Sequence, residues 1–118
     1  MNLRAFSTPA GVTLGALDDI TDGKARNYVL KLGEAYFHGF IVREGERVYG
    51  YVDRCPHAGM PLAEELDEYL TPQGDLIACS WHGALFRISD GYCLGGPCAG
   101  QSLTAWPVTN DNGTLKTC

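Results

Sequence analysis

The sequence lacks an excess of positive charge and any long hydrophobic run. Its nine Lys and Arg residues stand against 14 Asp and Glu residues, a net charge of −5, which is the wrong sign for binding nucleic acid or an anionic membrane surface. The most apolar stretch, residues 35–42, falls far short of the roughly 18 residues that span a bilayer. Residues 1–6 begin no segment typical of a signal peptide. We therefore expect a soluble, cytoplasmic protein that binds neither nucleic acid nor membranes.

The sequence also lacks repeats, linkers and low-complexity stretches. Its 118 residues suffice for one modest core but not for two independent ones. We therefore expect a single domain, residues 1–118, and exclude a multidomain enzyme.

The sequence also lacks the even number of cysteines that a framework of disulfides requires. Five cysteines with uneven spacing do not match a small secreted disulfide scaffold, so thiolate chemistry or metal ligation is the better expectation. Cys93 and Cys98 are expected to be free thiols in a reducing cytoplasm rather than a disulfide. Cys118 is expected to be exposed and to have no role.

Short runs of β-branched and aromatic residues, separated by turn residues, predict an antiparallel all-β domain. Glycine-containing pairs supply the sharp turns, and residues 35–52 are predicted to form a hairpin that closes near Glu44-Gly45. The predicted strands are residues 28–32, 35–42, 47–52, 76–79, 84–88 and 103–108. One segment departs from this pattern, because leucines repeat every four residues in residues 61–70 and predict a short helix that ends before Pro72.

Two short motifs, Cys55-Pro56-His57 and Cys79-Ser80-Trp81-His82, each contain one Cys and one His, and 21 residues lie between them. A glycine follows each motif, so that the backbone can fold tightly around a group held by the side chains. Two thiolates and two imidazoles on two tight loops indicate a metal site. Zinc is one metal that these donors bind, although zinc motifs usually pair like residues.

The two motifs resemble the Rieske iron–sulfur motif, C-x-H followed by C-x-x-H, in which His replaces Cys on one of the two irons. The resemblance runs from about residue 12 to about residue 108, and residues 95–97 are similar to the proline loop that closes over the cluster. The fold that it implies is a Rieske-type antiparallel β-sandwich. That fold has a base at about residues 1–52 and 99–118, a small cluster-binding subdomain at about residues 53–98, and the short helix between the two motifs.

The resemblance implies one Rieske-type [2Fe–2S] cluster, with Cys55 and Cys79 on one iron and His57 and His82 on the other. The positions expected around it are Gly59, Met60, Trp81, Gly83, Ala84, Phe86 and Pro97. High-potential Rieske proteins carry a disulfide between the two loops, and a Ser and a Tyr that donate hydrogen bonds to sulfur. This chain lacks all of these groups, so we predict a reduction potential at the low end of the Rieske range; the residues at the matching positions are Met60, Trp81, Ala84 and Phe86.

The histidine count limits the function. A Rieske oxygenase also needs a mononuclear iron bound by two His and a carboxylate, and only His38 remains once His57 and His82 bind the cluster. His38 is expected to be structural. The resemblance therefore implies a monomeric one-electron carrier of the Rieske-type ferredoxin group without catalytic activity of its own. Such a carrier docks transiently on a reductase and a terminal oxygenase.

Two other functions remain open from the sequence. One is a small Rieske subunit of a larger oxidoreductase, such as assimilatory nitrite reductase, and the other is a zinc-bound or apo interaction domain. Residues 55–86 carry five acidic residues and no Lys or Arg, while the rest of the chain is balanced. This acidic surface either steers docking onto basic electron-transfer partners or is a solvated helix face.

Overall fold

The computed structural model describes residues 3–56, 62, 67–80, 83–96 and 98–118. The strands are β1 (Leu3–Ala5), β2 (Thr13–Ala16), β3 (Ala25–Leu32), β4 (Ala35–Glu44), β5 (Arg47–Val52), β6 (Leu76–Ala78), β7 (Leu85–Arg87), β8 (Cys93–Gly95), β9 (Val108–Asp111) and β10 (Thr114–Thr117), and a 3-10 turn spans Leu17–Asp19. Within this described part of the chain, no helix has the length and apolar character needed to cross a membrane.

The strands form three sheets. In the first, β4 is central, with β3 antiparallel on one side and with β1 and β5 sharing the other side. The second sheet has the order β2-β10-β9 and the third the order β6-β7-β8, and both are antiparallel. The predicted all-β antiparallel class is confirmed, with β1 and β4 as a parallel pair within it.

The predicted hairpin of residues 35–52 is confirmed as β4 and β5. Glu44 pairs with Arg47, so only Gly45 and Glu46 connect the two strands. Gly45 has φ +66°, a left-handed conformation that costs glycine little because it has no Cβ.

Strand β4 separates two cores because its alternate side chains point to opposite faces. Phe37 and Ile41 pack on one face in the base core, and Phe40 and Val42 pack on the other in the loop core. The base core consists of Leu17, Ile20, Tyr28, Phe37, Ile41, Val52, Trp106 and Leu115. The loop core consists of Ala25, Phe40, Val42, Tyr51, Cys55, Leu62, Tyr69, Ile77, Cys79, Ala84, Phe86, Ile88, Cys93, Cys98 and Leu103.

Close aromatic packing explains a glycine inside β4. The ring centroid of Trp106 lies 4.7 Å from that of Phe37 and 6.0 Å from that of Tyr28. A Cβ on Gly39 would lie 2.6 Å from the Phe37 ring and 2.7 Å from the Trp106 ring. Glycine at this position therefore lets the Phe37 and Trp106 rings contact each other over the strand.

The predicted strand at residues 103–108 is wrong. Ala105 forms only a single bridge with Tyr51, and the regular strand begins at Val108. Pro107 has no N–H to donate to a ladder, which explains why regular pairing starts after it. Five strands of three or four residues each are also missed, apart from Val108 of β9, because such lengths leave little periodic signal; they are β1, β2, β8, β9 and β10.

Most of the predicted helix at residues 61–70 lies outside the described residues. Its described end, residues 67–70, is not helical, so the prediction is wrong there. Asp67 has φ +66°, and Leu70 forms an antiparallel bridge with Ile77. Leu70 therefore extends the third sheet and packs against the loop core.

Candidate metal centre

The first predicted ligand, Cys55, follows β5 at the edge of the first sheet. Two backbone hydrogen bonds hold the chain just before it: Val52 N–H donates to Thr104 O and Asp53 N–H donates to His38 O, both at 2.9 Å. The Cys55 side chain is 1% exposed and lies in the loop core. Sheet hydrogen bonding thus delivers this thiol into the interior.

The buried Asp53 carboxylate fixes the return of the chain after Cys55. One oxygen accepts a hydrogen bond from Leu62 N–H at 2.8 Å, and the other accepts one from the Tyr69 hydroxyl at 2.9 Å. The Tyr69 hydroxyl also accepts from Asn27 Nδ2 at 2.7 Å. Burial and the Asp53 carboxylate raise the pKa of Tyr69, so its hydroxyl stays protonated and donates.

The second predicted ligand, Cys79, follows β6 in a tight turn. Its N–H donates to Ala84 O at 2.9 Å, and Gly83 N–H donates to Cys79 O at 3.1 Å. Gly83 has φ +70°, a left-handed conformation that glycine adopts at little cost because it has no Cβ. The Cys79 side chain is buried in the same core as Cys55.

One residue bonds the two loops to each other. The Leu62 N–H donates to Asp53, and the Leu62 carbonyl accepts from Ser80 N–H at 2.7 Å. The Leu62 side chain is fully buried in the loop core. The two loops that carry the predicted thiol ligands are therefore hydrogen-bonded to each other as well as attached to the sheets.

A third loop, from β8 to residue 98, packs on the turn that follows Cys79. Gly96 lies in this loop with φ +96°, and a Cβ built on it would be only 2.7 Å from Ala84 Cα. The two backbones approach each other this closely because Gly96 has no side chain. The segment that resembles a proline loop thus contacts the second ligand loop directly.

Four cysteines are buried together in the loop core, namely Cys55, Cys79, Cys93 and Cys98. The Sγ atoms of Cys93 and Cys98 are 3.3 Å apart, and Cys93 Sγ donates to Gly95 O at 3.2 Å. Burial and the neighbouring Cys93 and Cys55 thiols raise the pKa of Cys98 to about 12. Cys93 and Cys98 are not bridged, and Cys118 is free and exposed.

Two of the positions expected around the cluster are fully buried and offer no polar side chain, namely Ala84 and Phe86. Gly83 is exposed in its turn. The hydroxyl of Tyr51 donates to the backbone oxygen of Ile88. The other expected residues lie outside those that the structure describes: His57, Gly59, Met60, Trp81, His82 and Pro97.

Sequence reasoning missed the Asp53–Tyr69–Asn27 network and the burial of Cys98 in the same core as Cys55. Asn27 and Tyr69 are 42 residues apart, so no local pattern links them. For Cys98 a signal is present, because it directly follows Pro97 in the segment that resembles a proline loop.

The donors described here fit an iron–sulfur cluster. Thiolates are the soft ligands that such clusters use, and both predicted thiols are at most 2% exposed. The loop that contains Gly96 packs on the turn after Cys79, and the missing Cβ of Gly96 allows its backbone to approach Ala84. The site therefore combines the two predicted thiol ligands with a largely apolar surrounding.

Comparison with known proteins agrees with this chemistry. Residues 12–111 match the model of the Rieske [2Fe-2S] domain family. The chain is 32% identical over 106 residues to the ferredoxin component of the p-cumate 2,3-dioxygenase system of Pseudomonas putida, an alignment that covers 88% of this chain and 81% of that protein.

Solved structures share the fold. The ferredoxin of carbazole 1,9a-dioxygenase from Nocardioides aromaticivorans IC177 superposes with a TM-score of 0.70 at 21% identity, covering 93% of this chain and 98% of that one. A ferredoxin chain in a complex of reduced oxygenase and oxidised ferredoxin in carbazole 1,9a-dioxygenase gives a TM-score of 0.72 at 24% identity, with 94% of each chain covered. With the family match over residues 12–111, these likenesses establish that the chain belongs to the Rieske [2Fe-2S] domain family and is homologous to ferredoxin components of dioxygenase systems.

Proposed function

We propose that the protein is a one-electron carrier that takes electrons from a reductase and delivers them to a terminal oxygenase. Cys55 and Cys79 bind one iron of a [2Fe–2S] cluster, and His57 and His82 bind the other. The observation that carries the proposal is the burial of both thiols in one core, on two loops that Leu62 bonds together. The 32% identity to a dioxygenase ferredoxin component supports the choice of electron carrier.

The ligand set favours easy reduction. Two ferric ions, two sulfides, two thiolates and two neutral imidazoles sum to zero charge, whereas four thiolates would leave two negative charges. A cluster held by these four residues would supply one-electron chemistry at about −150 to +300 mV, against about −400 mV for all-cysteine plant-type clusters. The protein itself keeps water away from the two thiols and holds the two loops in place.

We place the potential at the low end of that range. Hydrogen bonds to the sulfurs raise the potential of such clusters. Ala84 and Phe86 are fully buried and contribute no hydroxyl, and Met60 and Trp81 likewise add no hydroxyl to the sequence. With fewer hydrogen-bond donors near its sulfurs, the reduced cluster is stabilised less and its reduction potential is lower.

The same proposal divides the fold into a base and a cluster-binding subdomain. The base, residues 1–52 and 99–118, carries the first and second sheets, and residues 53–98 form the cluster-binding subdomain. The loop core joins the two parts, because Phe40 and Tyr51 of the base pack there with Tyr69 and Phe86.

Docking of this carrier is transient and electrostatically guided. Asp67 and Glu68 are exposed on the segment between the two motifs, and no Lys or Arg occurs from residue 55 to residue 86. Such a surface attracts basic partners and speeds encounter at low salt. A cytoplasmic monomer suits a carrier that presents one face to successive partners, and the chain performs no substrate chemistry alone.

Spectroscopy with metal analysis tests the assignment. We expect about two irons and two sulfides per chain, a Rieske-type EPR spectrum after reduction with dithionite, and a potential near the bottom of the family range. The Cys79→Ser and His82→Ala variants are expected to lose this spectrum, whereas Cys118→Ser is expected to keep it. A colourless, zinc-containing protein would contradict the electron-carrier proposal, and a high potential would contradict the argument from missing donors.

A further inference from the structure

The loop from β8 to residue 98, which we call the covering loop, holds two thiols in contact. The Sγ atoms of Cys93 and Cys98 are 3.3 Å apart, whereas two bonded sulfurs are about 2.0 Å apart. Cys93 donates its own proton to Gly95 O, so the Cys98 thiol is the donor to Cys93. Neither cysteine is a predicted ligand, and the function proposed above makes no use of the pair.

Backbone hydrogen bonds hold the two thiols together without a bond between the sulfurs. Cys93 N–H donates to Gln101 O at 2.8 Å, and Gln101 N–H donates to Cys98 O at 2.9 Å. Because the fold has already brought the sulfurs together, a disulfide between them needs little further loss of chain entropy. Gly100 has open space around it, so this end of the loop can make the remaining approach of about 1.3 Å.

The two side chains are buried under a thin layer of surface residues. Cys93 and Cys98 are each 1% exposed, whereas Leu94, Ala99 and Gly100 are exposed. A surface loop of this kind opens locally at a lower free energy than the whole domain needs to unfold. Such an opening brings Cys98 into contact with small thiol reagents in solution.

We infer that Cys93 and Cys98 form a reversible dithiol–disulfide site, and that the disulfide fastens the covering loop. The oxidant is a low-molecular-weight disulfide. The Cys98 thiolate attacks one sulfur of the oxidant and releases one thiol, and the Cys93 thiolate then attacks the Cys98 sulfur and releases the second thiol. In sum, the two protein thiols give two electrons and two protons to the oxidant. One S–S bond forms in the protein, and the S–S bond of the oxidant breaks.

The disulfide acts on the metal centre through the covering loop, and this part of the inference rests on the ligand assignment proposed above. Cys93 lies in β8, which pairs with β7, so the bond ties Cys98 to the third sheet. Gly96 lies between the two cysteines and packs on the turn that follows Cys79. A bridged loop therefore leaves this turn less readily, and the cluster is lost more slowly under oxidising conditions.

Peptide mapping of the loaded protein tests the modification. Trypsin releases residues 88–116 as one peptide, in which Cys93 and Cys98 are the only cysteines. The protein is incubated anaerobically with glutathione disulfide, and the remaining thiols are then alkylated under denaturing conditions. We expect most of this peptide to carry no alkyl group and to be two hydrogen atoms lighter than the reduced peptide, and dithiothreitol should restore the doubly alkylated form. The exposed Cys118 should take up one glutathione, which shows that the oxidant is active.

The rate of cluster loss to a chelator tests the consequence. A Cys118→Ser background excludes disulfides between chains through this exposed thiol. In this background we expect the bridged protein to lose its cluster about three- to tenfold more slowly than the reduced protein. Cys93→Ser and Cys98→Ser are the matched controls, because each keeps the predicted ligands but cannot form the bridge. Both are expected to lose the cluster at the same rate with and without the oxidant.

The outcomes separate the inference from the proposed function. Full alkylation of both thiols in peptide 88–116, with Cys118 modified in the same sample, would overturn the inference. Equal rates of cluster loss in the bridged and reduced proteins would also overturn it, and so would an equal slowing in Cys93→Ser and Cys98→Ser. Absence of a [2Fe–2S] cluster from the wild-type protein would instead overturn the proposed function, and the peptide map would still decide whether the two cysteines bridge.

Discussion

Replacing Tyr69 with phenylalanine removes one oxygen atom from the network that fixes the first ligand loop. The hydroxyl makes two hydrogen bonds, to Asp53 at 2.9 Å and from Asn27 at 2.7 Å. The ring remains, and with it the stacking on Phe40 at a centroid distance of 4.2 Å. The variant therefore isolates the polar contribution of Tyr69.

The expected cost follows from the charge and burial of the partner. A hydrogen bond to a charged group contributes about 1.5–3 kcal/mol, and leaving a buried group unsatisfied falls in a similar range. We expect Tyr69→Phe to lower the free energy of unfolding by about 2 kcal/mol. With a urea dependence of about 2 kcal/mol per molar, the unfolding midpoint shifts down by about 1 M.

The assay is urea unfolding of the loaded protein, followed by circular dichroism and by the visible absorbance of the cluster. Tyr92→Phe is the control, because Tyr92 is 40% exposed and its substitution should leave the midpoint within experimental error. Loss of the cluster to a chelator is also expected to be faster in Tyr69→Phe. A midpoint equal to that of Tyr92→Phe would refute the view that this network holds the loop.

Three further predictions concern the covering loop, alkaline pH and a surface ion pair. Gly96→Ala is expected to destabilise the loaded protein and release iron, because the new Cβ would meet Ala84 Cα and φ is +96°. Gly100→Ala is the control, because φ is +88° but the space around its Cβ is open, so that it carries only the backbone strain of about 1–3 kcal/mol. Equal iron contents in the two variants would contradict this prediction. Burial raises the pKa of Tyr51, so the stability that its neutral hydroxyl contributes is fully present below the ordinary tyrosine pKa of about 10 and is lost as the pH rises above it. A pH series of unfolding midpoints should therefore fall less steeply above pH 10 in Tyr51→Phe, and parallel slopes would refute the argument. The hydrogen bond from Arg87 lowers the pKa of Asp90, so any stability from this exposed pair is present at neutral pH and disappears as the pH falls through that lowered pKa. In the same assay, Asp90→Asn is expected to differ from the wild type in its unfolding midpoint at neutral pH but not at a pH below that lowered pKa.

The parts that the sequence predicts well are those with local signals. The hairpin of β4 and β5 follows from two long apolar runs around a glycine turn, and it is found at the predicted residues 35–52, with its first strand two residues longer than predicted. The turn after Cys79 follows from Gly83. The family was recognisable because the spacing of four Cys and His residues is itself the signal.

The parts that sequence reasoning misses depend on contacts between distant segments. The leucine repeat of residues 61–70 suggests a helix throughout, yet Leu70 is drawn into a bridge with Ile77. The run at residues 103–108 has strand-like composition, yet Pro107 and the bond from Trp106 N–H to Gly50 O direct it into a single bridge. Pairing with another segment decides the outcome in both cases, and a local pattern does not contain that information.

Leu62 has a consequence for how the site opens. Its N–H and its carbonyl belong to hydrogen bonds with different loops, so displacing this one residue breaks both attachments together. The two loops should then behave as one cooperative unit in native-state hydrogen exchange. The amide protons of Leu62 and Ser80 are expected to exchange with the same opening free energy, and a chelator would meet either a closed site or a fully open one.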